Sequence, residues 1–423
     1  MTRLTLLAII FAVALTAPTR ATTADSTVLI QWNQTIQDTI PGGGGAGAPR
    51  FFALAHIAMF DAVNSIEREF DPYHVRVWLG FGSSEAAAAQ AAHDVMVALN
   101  PAATATYDAL LQQQLGKAPK GFQRLGVTVG ARVAAAVLAW RQNDGWIVPS
   151  FPAYAEPLLP GRWQPTPPAN AAASFTHAGQ AKPLAMVSST HFLPAPPPIL
   201  TSARYATDLN EVKAIGKSDS VTRTPEQTAI ARLWASIAAS GTGTATHYSS
   251  IWNNIARDVA RARGLSLVET ARLFVLMNVS IHDALQTTLT SKFIYGVWRP
   301  VTAIRQADTD LNPDTDADAT WSTLIPTPPY PSYAGNMATI GASAARALGL
   351  ALRTNRVLVT TTWRQSAGQP DVVHHFTTLS DVAQEQADSR VYGGIHYRFD
   401  NEAGQTAGRA VAEYVFANFM RPK

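Results

Sequence analysis

Apolar residues recur at helical spacing through most of the chain. The period is clear over residues 50–67, 84–99, 104–115 and 122–143, and it returns over 202–215, 224–240 and 247–263. Each stretch reads as a helix with one buried face. Ser266 followed by Glu269 forms a capping box that opens a long helix running toward Trp298. Further helices are predicted over 337–353, 380–391 and 401–420. Strand-like alternation of β-branched residues is almost absent, so the pattern predicts an all-α protein of two packed helical bundles.

The interruptions divide this pattern. Residues 145–201 are rich in proline, including Pro196-Pro197-Pro198, too irregular for a regular helix and too apolar for a free linker. They are expected to wrap the bundle. The run from Gly42 to Gly45 lacks the Gly-Lys-Ser/Thr ending of a phosphate-binding loop and reads as a turn. Asp308, Asp310, Asn312, Asp314, Asp316 and Asp318 alternate like a calcium loop, but Pro313 and Ala319 stand where glycine and glutamate are required. A solvated acidic turn is the simpler expectation. The resulting division is a leader at 1–21, an N-terminal helical region with its proline-rich wrap at 22–200, and a C-terminal bundle at 201–423.

Composition narrows the function classes. Of 423 residues, 47% are hydrophobic and 15% charged, with a net charge of +3. That is a folded chain with no basic runs to suggest nucleic acid as a partner. Arg3 precedes an apolar run from Leu4 to Ala17 and small residues near Ala21, the layout of a secretory signal, so a secreted or periplasmic location is expected. That run is short for a bilayer span, and no later stretch is expected to be one. With no cysteine, disulfides, thiolate metal sites and cysteine nucleophiles are excluded.

Two constellations could carry chemistry. If the long helix continued, Lys292 and Arg299 would leave one face two turns apart, beside the break at Pro300. Such a pair can hold an oxyanion or simply face solvent. Arg390 and His396 would point to different faces of an unbroken helix, but Gly393-Gly394 allows a turn that brings both to one centre. A structural arginine and a buried, hydrogen-bonded histidine are the plain alternative. His56 with Asp61, and His282-Asp283, are expected to bond packed helices together. The chain has no Gly-x-Ser-x-Gly elbow and no His-Glu-x-x-His zinc motif.

The sequence Lys292-Phe-Ile-Tyr-Gly-Val-Trp-Arg299-Pro300, together with Ser389-Arg390 through His396 and Asp400, resembles the first and third motifs of the vanadium-dependent haloperoxidase and type 2 phosphatidic acid phosphatase superfamily. Trp32-Asn33-Gln34, the stretch from His56 to Asp61, Pro160-Gly-Arg-Trp163 and Thr224-Pro-Glu-Gln227 resemble its bacterial secreted branch. The resemblance implies that Lys292, Arg299 and Arg390 surround the oxygens of vanadate or phosphate and that His396 binds the central atom. It implies a haloperoxidase oxidising halide with hydrogen peroxide. The alternatives are an acid phosphatase acting on small phosphate esters through a phosphohistidine, and a non-catalytic oxyanion binder.

The second motif departs from the family's Pro-Ser-Gly-His. After Pro328-Pro329-Tyr330-Pro331-Ser332-Tyr333 come Ala334-Gly335-Asn336-Met337, placing Gly335 at the oxyanion-binding serine and Met337 at the acid-base histidine. The backbone amides of Gly335, Asn336 and Met337, and the Asn336 carboxamide, are expected to face an anion at a helix start. Methionine transfers no proton. His374 and His375 are the nearest substitutes in sequence.

Overall fold

The computed structural model describes residues 26–40, 47–78, 81–115, 120–239, 248–363 and 372–423; the expected leader and the glycine run lie outside the described residues. Among the described residues the α-helices are α1 (Thr27–Thr39), α2 (Ala48–Glu67), α3 (Ser84–Leu99), α4 (Thr104–Leu115), α5 (Lys120–Arg141), α6 (Ala203–Ile215) and α7 (Pro225–Ala239). They continue as α8 (Tyr248–Arg263), α9 (Leu267–Tyr295), α10 (Pro300–Arg305), α11 (Asn336–Leu352), α12 (Leu379–Tyr392) and α13 (Arg398–Asn418). The protein is all-α, as the apolar periodicity predicts.

α9 is the axis of the fold. Its capping box forms as written, with Ser266 Oγ accepting from Glu269 N–H and the Glu269 carboxylate from Ser266 N–H. Buried residues occupy every face of this 29-residue helix, as expected where neighbours surround a helix completely. α2 packs along one side, α11 and α13 along another, and α3 and α5 lie behind α2. The larger of two apolar clusters therefore includes residues from both sides of position 200.

The proline-rich segment lies on α9. Asp283 accepts the N–H groups of Leu184, Ala185 and Met186, and Gln286 Nε2 donates to the carbonyls of Ala178 and Ala181. Tyr295 Oη donates to Pro194 O. These contacts satisfy backbone groups that an irregular chain cannot satisfy for itself.

Four expectations are corrected. Helix α1 escaped the periodicity because Asn33 on its inner face is buried and donates to Asn253. An antiparallel hairpin, β1 (Arg356–Trp363) with β2 (Val372–Thr378), interrupts the helices; its β-branched stretches are too brief to dominate a long window. α5 is long and apolar enough by composition to cross a membrane, contrary to expectation. However, Gly126 lies directly against the Ser83 carbonyl and Gly130 against that of Ala87, fixing α5 onto α3. The acidic turn is not solvated throughout: Asp310 and Asn312 are buried, and Asn312 Nδ2 donates to Leu200 O and Ser202 O.

Candidate oxyanion site

α9 stops short of Arg299. Gly296 takes the left-handed conformation at φ 60° and returns its N–H to Lys292 O at 2.9 Å, which ends the helix at Tyr295. The shared-face geometry expected for Lys292 and Arg299 is therefore replaced by convergence from separate elements. Lys292 projects from the last turn of α9, fully buried, and donates to Ser332 O at 2.7 Å and Ala334 O at 2.6 Å. Arg299 is the N-cap of α10, with Pro300 as its first helical residue. Its Nε donates to Tyr330 O at 2.7 Å, and its Nη1 donates to Ile395 O at 2.8 Å and faces His396 Nε2 at 3.2 Å. The Tyr330 ring carries both cations, with Lys292 Nζ 5.3 Å and Arg299 Cζ 5.0 Å from its centroid.

The second pair arrives through the expected turn. α12 carries Arg390 and ends at Tyr392; Gly394 at φ 81° reverses the chain, and Ile395 N–H closes the turn on Arg390 O at 3.1 Å. His396 follows, just before α13. Its Nδ1 meets Asp400 Oδ2 at 2.7 Å, and the same oxygen accepts from Ser332 Oγ at 2.5 Å and Tyr397 N–H at 3.2 Å. A carboxylate only accepts, so the ring hydrogen belongs on Nδ1 and the Nε2 lone pair faces Arg299. Burial, reinforced by Arg299, Lys292 and Arg390, holds the His396 imidazole well below its ordinary pKa and therefore neutral. Burial and Arg299 also lower the Lys292 ammonium, while burial raises the Asp400 carboxyl.

The cations are not matched from within. Arg299 Nη2, Arg390 Nε and Arg390 Nη2 are buried without a hydrogen-bond partner. Asp400 is the carboxylate at the site, and it stands behind His396. Unpaired buried donors cost several kcal/mol unless something compensates them, so this donor set fits a compact oxyanion with several acceptor oxygens. Guanidinium forks suit that geometry.

The second motif starts α11, with Gly335 as N-cap and no capping side chain. The expectation that the Gly335 amide faces an anion is corrected, because that N–H donates to Asp400 O at 2.8 Å. The amides of Asn336 and Met337 open the helix, where no intrahelical acceptor exists. Met337 is buried in the large core, with Gln386 Nε2 3.8 Å from its sulfur. The proposed substitutes lie elsewhere: His374 on β2 binds the Glu385 carboxylate at 3.0 Å, and His375 pairs with Thr360. His56 meets Asn33 and Asn278, while Asp61 accepts the N–H groups of Tyr73, His74 and Val75. Tyr330 and Ser332 were visible in the sequence only as parts of a proline-rich approach.

Fold and site together define a helical protein with a buried cluster of cationic side chains, some of whose donors have no partner within the chain. The sequence model of the VCPO second helical-bundle domain matches residues 272–422. The vanadium chloroperoxidase of Curvularia inaequalis is 26% identical over 273 residues, which are 51% of this chain and 44% of that protein. The chain thus aligns with less than half the length of this curated relative. Among solved structures, the first bacterial vanadium-dependent iodoperoxidase aligns over 94% of this chain and 98% of its own, with TM-score 0.76 and 23% identity. A holo-type bacterial vanadium-dependent chloroperoxidase aligns over 93% and 97%, with TM-score 0.73 and 16% identity. Residues 272–422 thus match the VCPO second helical-bundle domain, and the fold is that of the bacterial vanadium-dependent haloperoxidases.

Proposed function

We propose that the chain is a haloperoxidase that holds vanadate between Lys292, Arg299, Arg390 and His396 and oxidises halide with hydrogen peroxide. The observation that carries this reading is the set of buried, unpartnered guanidinium donors at Arg299 and Arg390. Bound vanadate would activate hydrogen peroxide toward halide. Arg299 and Arg390 donate to the oxyanion oxygens, and Lys292 keeps its remaining hydrogen for the same anion. His396 offers the Nε2 lone pair to the central atom, and Asp400 holds the Nδ1 hydrogen so that the pair stays in that tautomer. The leader-like residues 1–21 support a secreted or periplasmic location, with 22–200 and 201–423 as the two regions of the exported chain.

Met337 favours a second reading, an oxyanion binder with little turnover, since loss of a general acid or base costs about a hundredfold to ten-thousandfold. An acid phosphatase working through His396 meets the same deficit. The test is bromide oxidation by the purified protein with hydrogen peroxide, with and without orthovanadate, beside His396→Ala. Vanadate-dependent turnover lost in that variant supports the haloperoxidase. Vanadate binding without turnover supports the binder, and release of phosphate from an aryl phosphate without vanadate supports the phosphatase. Met337→His should raise turnover at least tenfold. Gly335→Ser is a poorer probe, because a Cβ at 335 would lie 2.7 Å from Asn401 Oδ1.

A further inference from the structure

Lys292, Arg299 and His396 reach the site from separate parts of the chain, and one small residue is bonded to the supports of all three. Ser332 is fully buried. Its carbonyl accepts from Lys292 Nζ at 2.7 Å. Its N–H donates to Val297 O at 2.8 Å, in the segment that leads to Arg299. Its hydroxyl donates to Asp400 Oδ2 at 2.5 Å and lies 3.4 Å from His396 Nδ1.

The hydroxyl is the arm that bears on the imidazole. Asp400 Oδ2 accepts from Ser332, from His396 Nδ1 at 2.7 Å and from Tyr397 N–H at 3.2 Å, whereas Asp400 Oδ1 is buried without a partner. The carboxylate can orient the ring only if something other than the ring holds the carboxylate. That leaves the short bond from Ser332 and the long one from the Tyr397 amide, and the shorter is the stronger hold. The serine hydrogen has no competing acceptor, because His396 Nδ1 carries its own hydrogen. The direction of the His396 ring therefore depends, through Asp400, on Ser332.

We infer that Ser332 is a positioning residue: its hydroxyl fixes Asp400 and through it the His396 ring, while its backbone fixes Lys292, so that imidazole and cations meet the anion in one geometry. This rests on the oxyanion-site reading above. The two anions that suit the site use these groups differently. Orthovanadate takes the Nε2 lone pair as an added ligand, so its binding depends on where the ring points. Inorganic phosphate takes no added ligand and is held by hydrogen bonds from the cations. Ser332→Ala removes the hydroxyl but keeps the carbonyl that holds Lys292, and so it should act on the first anion and spare the second.

Calorimetric titration with each anion tests this, using the purified protein, Ser332→Ala, Asp400→Ala, the double variant and His396→Ala. Losing an outer partner of a metal-binding histidine typically costs about 10- to 100-fold in affinity, so Ser332→Ala should weaken orthovanadate by about tenfold or more and phosphate by less than about threefold. Retained phosphate binding also shows that the variant is folded. Because the serine acts through the carboxylate, the double variant should bind orthovanadate no more weakly than Asp400→Ala alone. In anion-free protein labelled with 15N-histidine, the His396 ring N–H, identified by its absence from His396→Ala, should exchange with water faster in Ser332→Ala. Orthovanadate affinity unchanged within about twofold in Ser332→Ala, beside a parent that binds and a His396→Ala variant that does not, would overturn this inference and leave the site reading standing. Equal losses for both anions would overturn it too, since they would mean a general loosening of the cations. No binding of either anion by the parent would overturn the site reading, and the ring N–H would then decide the role of Ser332: faster exchange in Ser332→Ala supports it, and unchanged exchange overturns it.

Discussion

α9 carries two buried charged groups that are treated in opposite ways. Asp283, in its middle, is fully enclosed and accepts three successive backbone N–H groups at 2.7–2.9 Å as well as the His282 ring at 3.0 Å. Burial pushes this carboxyl up, but His282 and the amides outweigh it and hold the group below its ordinary value. Lys292, at the end of the same helix, joins Arg299 and Arg390 in a cluster where guanidinium donors are left without partners. Nearby structural cations are matched more fully: Arg50 is paired with Asp144, and Arg141 donates to the carbonyls of Lys182 and Leu184, each leaving only its Nε buried without a partner, whereas Arg390 leaves both Nε and Nη2. A buried charge matched within the chain serves the fold; a buried charge left unmatched anticipates a ligand.

The sharpest way to break this comparison is to remove each kind of charge. Asp283→Ala strands the amides of residues 184–186 above α9, and losing one partner of a buried charged network typically costs about 3–5 kcal/mol. Urea unfolding should show a loss of that order, with the proline-rich segment becoming protease-sensitive. A loss below about 1 kcal/mol would mean that the amides find other acceptors.

Arg390→Ala should behave differently, because it removes a charge whose Nε and Nη2 find no partner within the chain. In phosphate-free buffer its stability should match or exceed the parent. At a hundred times Kd, phosphate or vanadate should stabilise the parent by about 2.7 kcal/mol, and most of that gain should vanish in the variant. Thermal unfolding with and without the anion reads both quantities. Equal gains in parent and variant would remove Arg390 from the site.

The same contrast explains what could be read from the sequence. Long helices were legible because their apolar faces repeat, and the capping box at Ser266 and Glu269 marks the start of α9 in local chemistry alone. The convergence of Lys292, Arg299, Arg390 and His396 was legible only through motif spacing. The periodic argument for Lys292 and Arg299 failed, since it assumed helix through Gly296. Ser332 gave no signal of its own, because its bond is to Asp400, which is adjacent in space but distant in sequence. The Gly335 amide was misassigned for the same reason: its acceptor, Asp400 O, comes from another helix. Hairpin β1–β2 was missed because seven or eight residues of alternation were weighed against long helical neighbours.

A smaller effect tests whether the buried polar groups away from the site are held neutral. His56 on α2 lies between the Asn33 and Asn278 carboxamides at 3.1 and 3.2 Å and beside the rings of Phe52 and Phe274. Arg257, bonded to Asn33, is the charge that acts on it. Burial, opposed by a backbone hydrogen bond at Phe52 and aided by Arg257, lowers its pKa to about 3. The unfolded chain takes up this proton near pH 6.5, whereas the folded chain refuses it until near pH 3. His56 therefore contributes full stability above about pH 6.5 and loses about 1.4 kcal/mol per unit as pH falls below it. His56→Gln keeps an amide among amides and has no such proton. Between pH 7 and pH 5 its stability relative to the parent should improve by about 2 kcal/mol, whatever its starting deficit. Taking the difference between the two urea curves cancels the buried carboxyls, which titrate alike in both proteins. Parallel curves would mean that the imidazole is protonated inside the fold, and that a cation can be accommodated among these carboxamides without an anion to meet it.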